Sequence, residues 1–340
     1  MSDINIIQTS IWQSLTVGDA RLPHALLFAG PKGVGKRETA DALAARLLCE
    51  TPRAPRQAAC GHCESCLMLA SGSHPDFRLL QPEAAEEEGE ASAEGEKKKA
   101  SKQIRIGQIR ELEAFFNIGS HRGGARVCLI EPAEAMNAVT ANSLLKILEE
   151  PSVSFYFILI SHRWRALLPT LLSRSRRIMF SPPEATEAQA WLASRKLSTV
   201  AEWLPFFANA PLALAEAAAS GRLKKLETIV ADLLKPQDPL AHAARWEAHV
   251  KAEAGLGMEE LVLIVQKWLH DLSRAAAGLP PRYYPHRNVE LSAIARRASP
   301  TALLQAERQV MQLRAWSNHP LNPKLFLEDL CVRAFRPITA

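Results

Sequence analysis

One stretch constrains the fold more than any other: Gly30-Pro31-Lys32-Gly33-Val34-Gly35-Lys36-Arg37. It follows the apolar run ALLFA (residues 25–29) and opens the helical stretch RETADALAARLLCE. A glycine loop between a strand and a helix lets backbone N–H groups curl around an anion, and the helix N-terminus adds favourable potential. Four further runs have strand character: FRLLQ (77–81), RVCLIE (126–131), FYFILIS (155–161) and RRIMF (176–180). Helix-length segments or loops separate them. Continuous apolar strands joined by helical crossovers predict an α/β domain, with a parallel sheet covered by helices on both faces.

This pattern accounts for half of a 340-residue chain, a length that suits two or three domains. After Pro182-Pro183 the strand-like runs stop. A short helical unit is expected from about 184 to 221, within a small domain of residues 182–222. The remainder, 223–340, reads as helices punctuated by Pro236, Gly255, Pro280-Pro281, Pro300 and Pro320. One helix carries Leu261, Ile264, Val265, Trp268 and Leu272 at the spacing of a single buried face. The segment 83–102 (EAAEEEGEASAEGEKKKASK) has no aromatic or β-branched residue, which predicts a disordered insert; an interaction segment is the alternative.

Composition sets limits on function. No run of about 18 uncharged apolar residues exists to span a membrane, and MSDINIIQTSIWQSL lacks the basic and apolar blocks of a secretory signal, so a cytoplasmic location is expected. The net charge of +5 is mild and dispersed, which permits contact with nucleic acid without arguing for it.

The glycine loop is altered where an NTPase needs it most. Gly30, Gly33, Gly35 and Lys36 are the residues that would hold phosphates. The next position should be a Ser or Thr whose hydroxyl binds Mg²⁺; it is Arg37, which cannot ligate a cation. In VCLIEPAEAM, Glu131 takes the place of the metal-associated Asp, and Pro132 that of the carboxylate that activates water. Without those groups hydrolysis by this chain is not expected. Lys36 remains, so nucleotide binding without turnover is compatible with the loop. The alternative is a tight strand-to-helix turn with no ligand.

Cys49, Cys60, Cys63 and Cys66 form a C-x10-C-x2-C-x2-C cluster. Four thiolates satisfy tetrahedral zinc and leave no ligand position for water, so one structural zinc per chain is expected. Unliganded thiols and a redox switch are the alternatives, and His62 reads as a bystander. Cys128 and Cys331 read as buried packing residues. In Ser173-Arg174-Ser175-Arg176, Arg174 stands in a basic turn at the edge of the sheet. Such an arginine suits donation to a neighbour's γ-phosphate; a solvated basic turn is the alternative.

Together these residues resemble a known family. LPHALLFAGPKGVGK, the cysteine cluster, HPDF (74–77), NSLLKILEEP (142–151), Ser173-Arg174-Ser175 and NPKLFLEDL (322–330) are similar, in order, to the bacterial clamp-loader subunits of DNA polymerase III, tau/gamma and delta-prime. The resemblance implies a AAA+ P-loop domain over 1–181 with a zinc module at 49–66, a helical lid over 182–222 and a helical collar over 223–340. Asn209-Ala210-Pro211-Leu212 stands where the family's lid has Gly-Ser-x-Arg, so Leu212 replaces an arginine that senses nucleotide. With Arg37 and Glu131-Pro132, that points to the delta-prime branch. The implied role is a stator in a ring with tau/gamma and delta, placing the sliding clamp on primed DNA. Arg174 would then act in trans as an arginine finger. The rivals are an active tau/gamma-type ATPase and an unrelated zinc-dependent nucleic-acid-binding module, which would bind DNA alone with a steep salt dependence.

Overall fold

A computed structural model describes residues 8–16, 22–51, 57–83, 103–117, 119–150, 154–236, 238–251, 256–317 and 322–339. Apart from Glu83, the segment expected to be a disordered insert (83–102) lies outside the described residues. The chain divides into two compact units after Pro183.

The first unit is built on five parallel strands: β1 (Ala25–Ala29), β2 (Phe77–Leu80), β3 (Arg126–Ile130), β4 (Phe155–Ser161) and β5 (Arg176–Met179), in the order β2-β3-β4-β1-β5. Leu27 of β1 lies beside Leu159 of β4 and Arg177 of β5. Every residue of β1 and β3 is buried, as expected of central strands covered on both faces. Leu27, Cys128, Ile130, Phe157 and Leu159 share one core with Ile109 and Leu112 of α4 (Ile106–Asn117) and Leu144 and Leu148 of α5 (Ala138–Glu149). Residues of the opposite parity, among them Leu26, Phe28, Val127 and Ile160, are equally buried. That face is covered by α2 (Lys36–Leu48), whose Ala40, Leu43 and Ala44 are fully buried.

Strands β2, β3 and β5 end one residue short of the predicted runs. The ladder nevertheless continues, with Glu131 N donating to Leu80 O at 2.9 Å and Phe180 N to Ala29 O at 2.7 Å. Among the described residues this unit also has the helices α1 (Thr9–Thr16), α3 (Glu64–Ala70) and α6 (Pro169–Arg174), the last begun by a proline at its first position, and two 3-10 turns. Asn137 caps α5 by accepting from Thr140 N at 2.9 Å.

The second unit is helical: α7 (Ala185–Ser194), α8 (Pro211–Ala219), α9 (Arg222–Leu233), α10 (Pro239–Lys251), α11 (Met258–Ala276), α12 (Asn288–Ala295), α13 (Pro300–Trp316) and α14 (Pro323–Thr339). Leu261, Ile264, Val265, Trp268 and Leu272 are buried within this chain, so the α11 stripe is core. The stretch after the 3-10 turn Ser198–Trp203 is clasped to α11. Lys267 donates to Phe206 O at 2.6 Å and lies 3.8 Å from the Phe206 ring centre, while Trp203 and Phe206 pack on Tyr284. Tyr284 is itself held by Asp271, a fully buried carboxylate that accepts from the backbone N–H groups of Arg282, Tyr283 and Tyr284 at 2.7–2.8 Å.

Candidate functional site

The glycine loop leaves the C-terminal end of β1 and enters α2, as a phosphate loop must. Gly30 is required by space: a Cβ there would stand 2.2 Å from the carbonyl oxygen of Phe180, just past the end of the neighbouring strand β5. Gly35 precedes α2 with φ 92°, in the left-handed region, and Gly33 has φ 77°. The buried amide of Gln8 ties the loop down, donating to Val34 O at 2.8 Å and Ser181 O at 3.1 Å. Lys36 is 2% exposed and donates to the carbonyls of Gly30, at 2.7 Å, and Pro31. Burial pushes its amine down to about 8, against the opposing pull of Glu134, Glu131 and Glu38.

The two residues read from the sequence as departures from an NTPase site, Arg37 and Glu131, meet. Arg37 Nη1 donates to Glu131 Oε2 at 2.7 Å, while its Nε lies 2.9 Å from both oxygens of Asp41 one turn along α2. A guanidinium therefore sits between the loop helix and the residue that follows β3, bonded to the Glu131 carboxylate. Glu134 turns elsewhere: its Oε1 accepts from the backbone N–H groups of His162 (2.9 Å) and Arg163 (3.1 Å) beyond β4. Residue spacing marks Arg37 and Glu131 as departures but carries no sign that they pair, because 94 residues separate them.

All four predicted cysteine ligands converge. Their sulfurs lie within 4.8 Å of one another, with Cys49–Cys63 and Cys60–Cys66 at 3.9 Å. Zn–S bonds of about 2.3 Å in a tetrahedron place sulfurs about 3.8 Å apart, so the donor set fits zinc. Cys60 N donates to Cys49 Sγ and Cys63 N to Cys60 Sγ, bonds that favour thiolate. Backbone N–H donation, chiefly from His62, pulls the Cys60 thiol down to about 5, whereas burial pushes Cys66 up to about 12. His62 bonds the Cys60 carbonyl and lies outside the sulfur cluster. Cys128 and Cys331 are fully buried.

HPDF acquires a physical role next to this cluster. His74 is buried; its Nδ1 accepts from Asp76 N at 3.0 Å, which leaves Nε2 to donate to Ser65 Oγ, next to Cys66, at 3.2 Å. Ser65 in turn donates to Glu50, next to Cys49. Asp76 accepts from Ser120 Oγ, His121 N and Arg122 N, and Arg122 returns to Glu50 (2.5 Å) and Glu64 (2.6 Å). The cysteine module is thereby stitched to the entrances of β2 and β3.

Arg174 ends α6 immediately before the edge strand β5 and is exposed. Leu212 lies half-buried in the first turn of α8, in the other unit.

Fold and site define a parallel α/β protein with a strand–glycine loop–helix junction and a four-thiol centre of metal-binding type. The chain belongs to the family described as DNA polymerase III, delta subunit, whose model matches residues 7–184. It is 44% identical over 193 residues to the DNA polymerase III subunit delta' of Pseudomonas aeruginosa, covering 57% of this chain and 53% of that one. Against the same subunit of Escherichia coli it is 33% identical over 169 residues, 50% and 46% of the two chains. The gamma/tau subunit of Mycobacterium tuberculosis matches at 30% over 177 residues, 52% of this chain and 28% of that one. The chain thus spans about half the length of the delta' relatives it matches.

Proposed function

We propose that this protein is a delta-prime subunit of a bacterial clamp loader that does not hydrolyse ATP and lends Arg174 to the ATP site of an adjacent tau/gamma subunit. The Arg37–Glu131 ion pair carries the reading. Phosphoryl transfer needs a divalent ion to neutralise charge on the phosphates, and here a fixed guanidinium holds the carboxylate such an ion would bind. The proline at position 132 removes the water-activating group as well. Lys36, folded onto the loop carbonyls, keeps the positive charge of a phosphate site without the means of turnover.

In this reading residues 1–181 form the AAA+ module, 182–222 the lid and 223–340 a collar that joins tau/gamma and delta. Leu212 in the first turn of α8 supplies no charge for nucleotide sensing. Cys49, Cys60, Cys63 and Cys66 hold one structural zinc, which staples the module to the sheet and takes no part in chemistry. The assembled ring places the sliding clamp on primed DNA in the cytoplasm.

The test is ATP turnover by the purified chain with magnesium, followed by reconstitution with tau/gamma and delta. The chain alone should show no turnover, and the complex should lose clamp-loading ATPase when it is left out. Magnesium-dependent hydrolysis by the isolated chain, stimulated by primed DNA and clamp, would instead make it a motor of the tau/gamma type.

A further inference from the structure

Arg174 has a carboxylate of its own. Its Nη2 lies 2.5 Å from Oε1 of Glu149, the last residue of α5, and its Nη1 reaches Thr170 O at 3.4 Å. This pair is the exception on its stretch of surface. Residues 162–177 carry Arg163, Arg165, Arg174, Arg176 and Arg177 and no carboxylate. All five arginines are exposed, and among the described residues only Arg174 of the five is ion-paired. Arg165 and Arg177 lie over the ring of Trp164 instead.

Folding does not account for this carboxylate. The two side chains are 37% and 49% exposed, and a single pair so open to water adds little to stability. A carboxylate at the last position of a helix also faces the negative end of the helix dipole. The cost is small, but it is incurred next to the one arginine whose charge matters for a neighbour.

We propose that Glu149 is a parking group for Arg174: it holds the guanidinium in cis until the terminal phosphate of a nucleotide bound to the adjacent subunit competes for it. The inference rests on Arg174 acting in trans. Carboxylate and phosphate draw on one guanidinium charge, and the side chain leaves Glu149 to reach across to the neighbouring subunit, so docking of the triphosphate is an exchange of anions. The singly charged Glu149 yields to the more highly charged phosphate, and its exposure makes the exchange easy. Glu149 thus sets the nucleotide affinity at which the neighbour's site is completed, without touching the nucleotide itself.

The experiment is steady-state ATP hydrolysis by the reconstituted complex carrying Glu149→Gln, Arg174→Ala or both, read as a function of ATP concentration. With Glu149→Gln, the KM for ATP should fall about two- to fivefold, the range expected for release of an exposed ion pair, while kcat does not fall. The shift should vanish in the Arg174→Ala background. A lower kcat at unchanged KM would make Glu149 an orienting group and overturn the proposal. Unchanged kinetics would overturn it too, as would a KM shift that persists without Arg174. Failure of the underlying trans role looks different: Arg174→Ala alone then leaves hydrolysis intact, and the parking role falls with it. Melting of the isolated Glu149→Gln chain within roughly 2 °C of wild type separates these outcomes from a folding defect.

Discussion

In the sequence Arg37 stood out against the Ser or Thr expected after Lys36, and Glu131 against the expected Asp; the bond between them was not legible. Neither was Asp271, which in sequence is one more acid on an amphipathic helix. In the structure it is fully buried and closes three backbone N–H groups of the 282–284 turn. Hydrogen bonds to a charged acceptor are among the stronger ones, and truncation would leave three donors without their acceptor, that of Tyr284 in a buried residue. Asp271→Ala should therefore cost about 3 kcal/mol or more, measured by urea unfolding of the isolated chain.

At the scale of elements, all five strands fall where apolar runs placed them, because a central strand of a parallel sheet is apolar on both faces and leaves an unbroken signature. Several helices begin at prolines, among them Pro211, Pro239, Pro300 and Pro323, for a similarly local reason, but α14 runs on through Pro337. What each helix packs against was not legible, and the Lys267 clasp is an instance. Burial of this amine under Phe206 pushes it down to about 8, with Arg314 adding to the shift. Its unfolded value is about 10.4. Between those values the unfolded chain binds more protons, so stability rises with pH through the window. Wild type should accordingly gain on Lys267→Met as pH climbs from about 8 to 10, in melts compared pH by pH. The cysteine module makes a separate expectation. Its ligands are joined to β2 and β3 through Ser65, His74 and Asp76. Chelation of the metal, or Cys63→Ser, should lower the melting temperature and raise amide exchange in residues 119–125, and metal analysis should find about one zinc per chain.

For the whole molecule, the family match covers the sheet-bearing unit and ends where the helical unit begins, at residue 184. The helical unit keeps its α11 stripe for its own core, so any surface it offers a partner must come from other faces. Arg174, by contrast, stands exposed beside the edge strand β5. Arg174→Ala should leave folding and co-purification with tau/gamma and delta unchanged. ATP hydrolysis by the complex should fall steeply, since an arginine finger contributes on the order of 10³ in rate at its own site. Other sites in the ring dilute the total, so single-turnover measurement is the sharper readout.

Taken by itself, the sequence determined the class of fold, the strand positions and the four cysteines that converge. Each of these is written locally, in apolar periodicity or short cysteine spacings. Only the tertiary structure decided that Arg37 closes on Glu131, that Arg174 rests on Glu149, and that His74 and Asp76 tie the cysteine module to the sheet. Those contacts join residues many positions apart, and a charged side chain finds its partner only once the packing of apolar faces has set which elements lie side by side.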